Sequence, residues 1–360
     1  VAHKIWDVAL LVYCFVASVV PLWLLLQPRG HLGGYFLYFA LAGGALGLIF
    51  GGKPIEYPRF IGWTAANGEM LFPILFITIA CGACSGFHSI IASGTTSKQL
   101  RRETDAKVIG YGAMLLEAMV AVVSLCCVMI LAPDSGFLKD PKPNFIYAQG
   151  IGSFLGVLGI PAALGVSFAL MAFTTFVYDT LDVCTRLGRY IIQELTGWHD
   201  WRGRWLGTGL TAGAPLFFVM QTAVDPVTGK EKPVWLTFWA LFGASNQLLA
   251  ALTLLGVTVW LWRTRRARWV WFVTGVPMVW MYAMSSWALV RFILQPLKPW
   301  IDGELSFGRL AETGAFTNPV PWVAAVLVGL ALLMLVEAVR VVFGSGGGRI
   351  PPEKTVPATA

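Results

Sequence analysis

Residues Leu71 to Thr96 read LFPILFITIACGACSGFHSIIASGTT. About twenty apolar residues cross a bilayer, and this stretch is long and apolar enough. Its middle is poorly suited to a helix. Gly82, Ser85 and Gly86 fall close together, each Gly disfavours helix by about 1 kcal/mol against Ala, and Ser prefers the first position of a helix to its interior. The pattern predicts two half-helices, about residues 71–81 and 87–93, joined by an unwound linker with Ser85 as N-cap. Unwound backbone at membrane depth persists only where protein buries it or where it lines a wet cavity, and a broken helix is the best sequence pointer to a transporter's binding site. Free N–H groups at Gly86 to His88 would suit an anion, and free carbonyls near Ile79 to Cys81 a cation. The alternative is a packing helix kinked by its glycines.

The rest of the chain has the same character. It is 57% hydrophobic and 12% charged, with sixteen Trp, which excludes a soluble domain of this size. The net charge of +7 reads as basic loops beside a membrane, and nucleic acid is not inferred. About nine spans are expected, near residues 6–26, 35–52, 71–93, 107–132, 161–183, 206–221, 234–262, 269–294 and 321–343. Three gaps are rich in cations: Lys98, Arg101, Arg102 and Lys107; Arg186, Arg189, Arg202 and Arg204; Arg263, Arg265, Arg266 and Arg268. They alternate with poorer gaps, so the positive-inside rule places them and the C-terminus in the cytoplasm. The chain then enters from outside, and an odd number of spans is expected before Val1.

Residues 148–160, AQGIGSFLGVLGI, are too short and Gly-rich to span. They are expected to form a re-entrant or surface-lying helix on the outer face. Residues 344–360 are Gly- and Pro-rich and read as a flexible cytoplasmic tail. Gly43, Gly47 and Gly51 form a double GxxxG, read first as a close helix-packing face. The six Cys read as small packing residues. Cys81 and Cys84 have the spacing of a redox pair or half a metal site, but no second pair or His cluster completes it, and neither a metal nor a catalytic site is expected.

Ionisable groups at membrane depth are functional hypotheses by default. Glu117 lies roughly 15 Å into its span at the helical rise per residue. It serves either as a proton carrier or as a structural hydrogen-bonding group. Thr174 and Asp179 lie about 20 and 27 Å down the fifth span. With Thr175 they offer hard oxygen ligands for a small cation, while Asp182 and Arg186, four apart, read as an interfacial salt bridge. Ser245, Asn246 and Gln247 lie roughly 18 Å into the seventh span, and join helices or line a site. His88 could hold a carboxylate or relay protons. Asp7 and Glu337 read as structural.

Four strings, IACGACSGFHSIIASGTTSKQL, GYGAMLLEA, TLDVCTRLGRYIIQEL and LFGASNQLLAALTLL, occur in this order and together resemble the carbon starvation protein A family. The resemblance implies an all-α polytopic membrane protein of the bacterial inner membrane. The family is similar to the amino acid–polyamine–organocation superfamily, with its LeuT-like 5+5 inverted-repeat fold. If the nine spans are helices four to twelve of that fold, about three are missing, the second repeat runs over about residues 70–262, and residues 1–343 form one transporter domain. The implied function is uptake of a small carboxylate, most readily pyruvate with protons, with peptide uptake as the alternative. A substrate-binding nutrient sensor is a reading from another class. The expected substrate site is Gly82, Ser85, Gly86, Phe87, His88 and Ser89 with Asn246. Glu117, Thr174, Thr175 and Asp179 are expected to couple transport to a proton or another cation. No cofactor is expected beyond the coupling ion. The implied partners are the lipid bilayer and, by family resemblance, a small cytoplasmic accessory protein.

Overall fold

A chain this apolar has to satisfy its backbone internally, and helices do so within one segment. The computed structural model describes residues 2–64, 70–81, 84–133, 135–136, 142–224, 231–265, 267–303, 306 and 318–343. Gly82 and the tail 344–360 lie outside the described residues. Among the described residues, six helical segments are long and apolar enough to cross a bilayer: Leu26–Gly51, Lys107–Met129, Ala162–Thr196, Trp239–Arg265, Trp271–Ile301 and Pro319–Phe343. The chain is a multi-pass membrane protein. Of the nine expected spans, the other three correspond to a helix at Ala2–Val19, an interrupted helix between Leu71 and Thr96, and a helix at Trp201–Val219; these do not reach the same length and apolarity.

The chain divides into two units. The first comprises residues 1–61 and 91–235. It holds α1 (Ala2–Val19) and α2 (Leu26–Gly51). Its later helices are α5 (Gly112–Met129), α6 (Pro143–Val157), α7 (Ala162–Thr196) and α8 (Trp201–Val219). A short hairpin, β1 (Thr222–Val224) with β2 (Glu231–Pro233), pairs Thr222 with Pro233. The second unit comprises residues 62–90 and 236–360. It contains α3 (Phe76–Ala80) and α4 (Gly86–Ile91), whose last residue falls at the boundary. It also contains α9 (Trp239–Arg265), α10 (Val276–Leu294), α11 (Lys298–Ile301) and α12 (Pro319–Phe343).

Several boundaries differ from the sequence expectation. The first helix stops at Val19, just ahead of Pro21, and the second begins at Leu26 rather than near residue 35. Pro28 is tolerated there because it falls in the first turn, where its missing N–H costs nothing. Residues 27–34, expected as a loop, are therefore helix, and Arg29 sits on it. The fifth span runs on to Thr196, where Gly197 at φ +73° closes it in the left-handed region. The side chain of Asp200 caps α8 by accepting from Gly203 N at 2.8 Å.

The segment expected to be re-entrant or surface-lying forms the short helix α6, and it is packed at the centre of the first unit rather than lying on its surface. In α6, Ala148, Ile151 and Phe154 are fully buried among Leu41, Val123, Cys127 and Ala169. Its glycines explain the difference. A Cβ on Gly150 would lie 2.2 Å from Cys127 Cβ, and one on Gly152 would lie 2.7 Å from Val166 Cγ2. Small residues let α6 sit between α2, α5 and α7. The double GxxxG of α2 is the matching face. Cβ atoms on Gly43 and Gly47 would meet Leu155 Cδ2 at 2.4 Å and the Phe154 carbonyl oxygen at 2.2 Å.

This face gives a direct test. Gly47→Ala drives a methyl into backbone, whereas Gly51→Ala meets side-chain atoms that can turn aside, Val157 Cγ2 at 3.1 Å and Lys53 Cγ at 3.7 Å. Overpacking costs roughly 1–3 kcal/mol. Thermal unfolding in detergent is expected to fall markedly for Gly47→Ala and only slightly for Gly51→Ala. Equal melting temperatures for the two variants would show that α6 does not rest on this face.

In the second unit, α9 packs on α10 and α12, and α3 packs on α9 and α10. The core is Ile77, Leu241, Ala244, Leu248, Ala288, Leu289, Val320 and Ala324. The opposite faces are apolar and exposed, as on Val326, Leu333 and Phe343 of α12, which is what lipid-facing helices require.

Candidate functional site

The helix between Leu71 and Thr96 is interrupted. α3 ends at Ala80, α4 begins at Gly86, and Cys84 and Ser85 between them are not helical. Interrupted backbone in an apolar setting leaves N–H and C=O groups that need partners. Neighbouring α9 supplies them through two adjacent amides. Asn246 Oδ1 accepts from Phe87 N at 2.7 Å, and its Nδ2 donates to Ser85 Oγ at 2.9 Å and to Cys81 Sγ at 3.5 Å. Gln247 is fully buried; with its amide turned so that both ends are paired, its nitrogen donates to the Cys84 carbonyl at 2.6 Å and its oxygen accepts from Cys81 N at 2.9 Å. A turn further along, Thr253 Oγ1 donates to Ser89 Oγ at 3.0 Å, and Ser89 Oγ donates to the Gly86 carbonyl at 2.6 Å.

This arrangement locates the expected substrate residues. Ser85, Gly86, Phe87, His88 and Ser89 lie at the start of α4, with Asn246 against them, while Gly82 lies outside the described residues. At the start of α4, Asn246 Oδ1 accepts from Phe87 N and the Ser85 hydroxyl accepts from Asn246 Nδ2. Gly86 permits the contact: its Cβ would stand 2.2 Å from the Asn246 carbonyl oxygen and 2.7 Å from Ala250 N. His88 is half-buried on α4. Beside the break is a cavity of about 340 Å3 lined by Phe87, Ile90, Phe242, Asn246, Leu249 and Leu327, among others. Its lining is apolar apart from Ser245 and Asn246.

A second constellation lies within the first unit. Arg29 of α2 donates through Nε and Nη2 to Asp179 Oδ1 at 3.0 and 2.8 Å, and through Nη1 to Tyr13 Oη at 2.9 Å. Its Nη2 also lies 2.9 Å from Asp182 Oδ2, and Tyr13 Oη donates to the same oxygen at 3.3 Å. The Asp182 side chain is fully buried, and its Oδ1 has no hydrogen-bond partner. Two carboxylates thus share one guanidinium. Gly33 lets Asp179 approach α2, since a Cβ there would stand 2.5 Å from Asp179 Oδ2.

Of the four expected coupling residues, Asp179 belongs to this cluster. Asp179 is engaged by Arg29, whereas the Thr174 and Thr175 hydroxyls donate to their own helix, to the Leu170 carbonyl at 2.7 Å and the Met171 carbonyl at 2.8 Å. Glu117 lies half-buried on α5. The Asp182–Arg186 pair expected from their spacing does not form. Arg186 Nη2 donates to the carbonyls of Ala17 and Val20, and so closes the C-terminal end of α1, where a cation is favoured. Tyr13 and Arg29 carry no signal of this role in the sequence. The available signal was Asp179 and Asp182, three apart on one helix face.

The family described as carbon starvation protein CstA matches residues 1–145 and 136–288. The pyruvate/proton symporter BtsT of Escherichia coli (strain K12) is 31% identical over 78% of this chain and 50% of its own length. The peptide transporter CstA of the same strain is 32% identical over 75% of this chain and 47% of its own. The peptide transporter CstA of Campylobacter jejuni is 30% identical over 80% and 48%. The chain spans about half the length of the curated relatives it matches. No solved structure matches it significantly.

Proposed function

We propose a function from one premise: the chain belongs to the carbon starvation protein CstA family. It is the part of a secondary transporter that carries the substrate break, and the transporter takes up a small carboxylate, pyruvate with protons, by alternating access. The described helices fall within spans four to twelve of a 5+5 inverted repeat, in the bacterial inner membrane with the C-terminus in the cytoplasm. Residues 1–343 act as one transporter domain, beside a small cytoplasmic accessory protein.

One observation supports this reading above the others. Two buried amides, Asn246 and Gln247, hold the backbone of the interrupted helix. Buried polar groups are retained only where they are hydrogen-bonded, and a break held this way opens by exchanging partners. On the proposal, a substrate carboxylate competes with Asn246 Oδ1 for the N–H groups near Phe87. Ser85, Gly86, His88 and Ser89 line the opening, and Gly82, outside the described residues, is assigned to the same site from its place in the sequence. Asp179 and Asp182, sharing Arg29, take up and release the proton, with Glu117, Thr174 and Thr175 on the same unit as further coupling residues.

Peptide uptake is the second reading. The apolar lining of the 340 Å3 cavity beside the break offers room for side chains and no cation for a lone carboxylate. Full-length protein in proteoliposomes under an inward proton gradient distinguishes the two. Labelled pyruvate is expected to accumulate, an uncoupler to abolish accumulation, and di- and tripeptides not to compete. Peptide accumulation without pyruvate would move the assignment to the second reading, and uptake of neither would end both.

A further inference from the structure

Toward the C-terminal end of α7, within the first unit, is a cavity of about 540 Å3 that the transport reading does not use. Lys98, Arg186, Arg189 and Arg204 line it, against one carboxylate, Glu194. Basic residues beside a membrane are usually solvated. Two of these are not: Arg186 is 3% exposed and Arg189 is 4% exposed. The Nε atom of each is buried without a hydrogen-bond partner. Among the described residues, no carboxylate lies within ion-pairing distance of either. A buried guanidinium without a counter-charge is strongly disfavoured unless something supplies one.

The wall holds these groups in place. The Arg189 stem lies against α8, where a Cβ on Gly207 would be 3.3 Å from Arg189 Cγ. Gly188 brings α8 close enough for this, since its Cβ would stand 2.4 Å from Thr211 Cγ2. The Tyr190 ring has the Arg189 guanidinium 4.6 Å and the Lys98 ammonium 5.2 Å from its centroid. Arg186 is pinned through Nη2 to the end of α1. The result is a fixed cluster of donors around a space large enough for a polar headgroup.

We propose that this cavity binds a phosphate-type oxyanion. Arginine forks match phosphate oxygens in geometry and charge, and basic pockets between membrane helices take anionic headgroups. The phosphate comes either from an anionic phospholipid or from a soluble phosphate. The site stands on the geometry of the first unit alone and is independent of the substrate carried.

Full-length protein, delipidated in detergent, is titrated with dioctanoylphosphatidylglycerol, dioctanoylphosphatidylcholine and inorganic phosphate. The readouts are bound adducts by native mass spectrometry and the melting temperature. One saturable phosphatidylglycerol adduct is expected, with a raised melting temperature and no comparable effect from phosphatidylcholine. Arg189→Gln is expected to weaken it ten-fold or more. Phosphate that competes with the lipid at millimolar concentration identifies a soluble phosphate as the ligand class, and phosphate that does not compete identifies the headgroup. Should Arg189→Gln fail to fold, the double variant Lys98→Gln/Arg204→Gln changes exposed side chains and is expected to weaken binding several-fold. No saturable binding of either anion, or wild-type affinity in the folded variants, overturns the proposal.

Discussion

Arg29→Leu is expected to lower stability by roughly 3–5 kcal/mol, because it strands a buried carboxylate rather than because it removes a favourable pair. Arg29 serves Asp179, Asp182 and Tyr13 together, and the Asp182 side chain is fully buried. Asp182→Asn is expected to cost much less, since Arg29 keeps Asp179 at 2.8 Å and the neutral amide fits the same space. Combining Arg29→Leu with Asp182→Asn is expected to recover most of the loss, a non-additivity that a double-mutant cycle measures. Thermal unfolding in detergent supplies the stabilities. If Asp182→Asn proves as damaging as Arg29→Leu and the double variant shows no recovery, the cluster is not organised around the guanidinium. The functional side separates by assay. In proteoliposomes, Asp182→Asn is expected to abolish accumulation driven by a proton gradient while substrate counterflow persists. Unchanged accumulation removes Asp182 from the coupling path.

The fold is legible in the sequence where local chemistry decides it. The break is marked by Ser85 and Gly86, and helix interruption follows there. The α2 glycines are marked by their spacing, and the packing face follows. What the sequence conceals is tertiary. Residues 148–160 look too short and too rich in Gly to span, and the same glycines let α6 become the centre of its unit. Small residues signal close approach without saying what approaches.

The sites follow the same division. Asn246 and Gln247 are visible as amides at membrane depth, but nothing local says that they reach the broken backbone of α3 and α4. The i,i+4 rule assigns Arg186 to Asp182, and the tertiary structure overrides it. Arg29 arrives from another helix, and the end of α1 offers Arg186 two carbonyls. A pairing rule based on one helix cannot see a partner on another.

The second large effect is at Asn246, where Asn246→Leu and Asn246→Asp together separate a packing role from a binding role at the break. Gly86→Ala does not. In the sequence alone, Gly86→Ala reads as a change in helix preference of about 1 kcal/mol. In the structure the added Cβ would stand 2.2 Å from the Asn246 carbonyl oxygen and 2.7 Å from Ala250 N. Neither backbone atom can turn aside, so the variant is expected to lose folded protein, much as Gly47→Ala does against the Phe154 carbonyl. Asn246→Leu keeps the size of the side chain and avoids the clash, but leaves Phe87 N–H without its acceptor and Ser85 Oγ with only the Cys81 thiol. Each unsatisfied buried group costs about 1–3 kcal/mol. Asn246→Asp restores the acceptor for Phe87 N–H and places a fixed carboxylate where the substrate's is proposed to bind. If the break binds an anion, Asn246→Asp is expected to stay folded and to lose pyruvate binding by ten-fold or more, each factor of ten corresponding to about 1.4 kcal/mol. Binding to the purified full-length variants by calorimetry, with melting temperatures alongside, provides the comparison. Wild-type affinity in a folded Asn246→Asp protein would leave Asn246 as a structural clamp and put the substrate elsewhere.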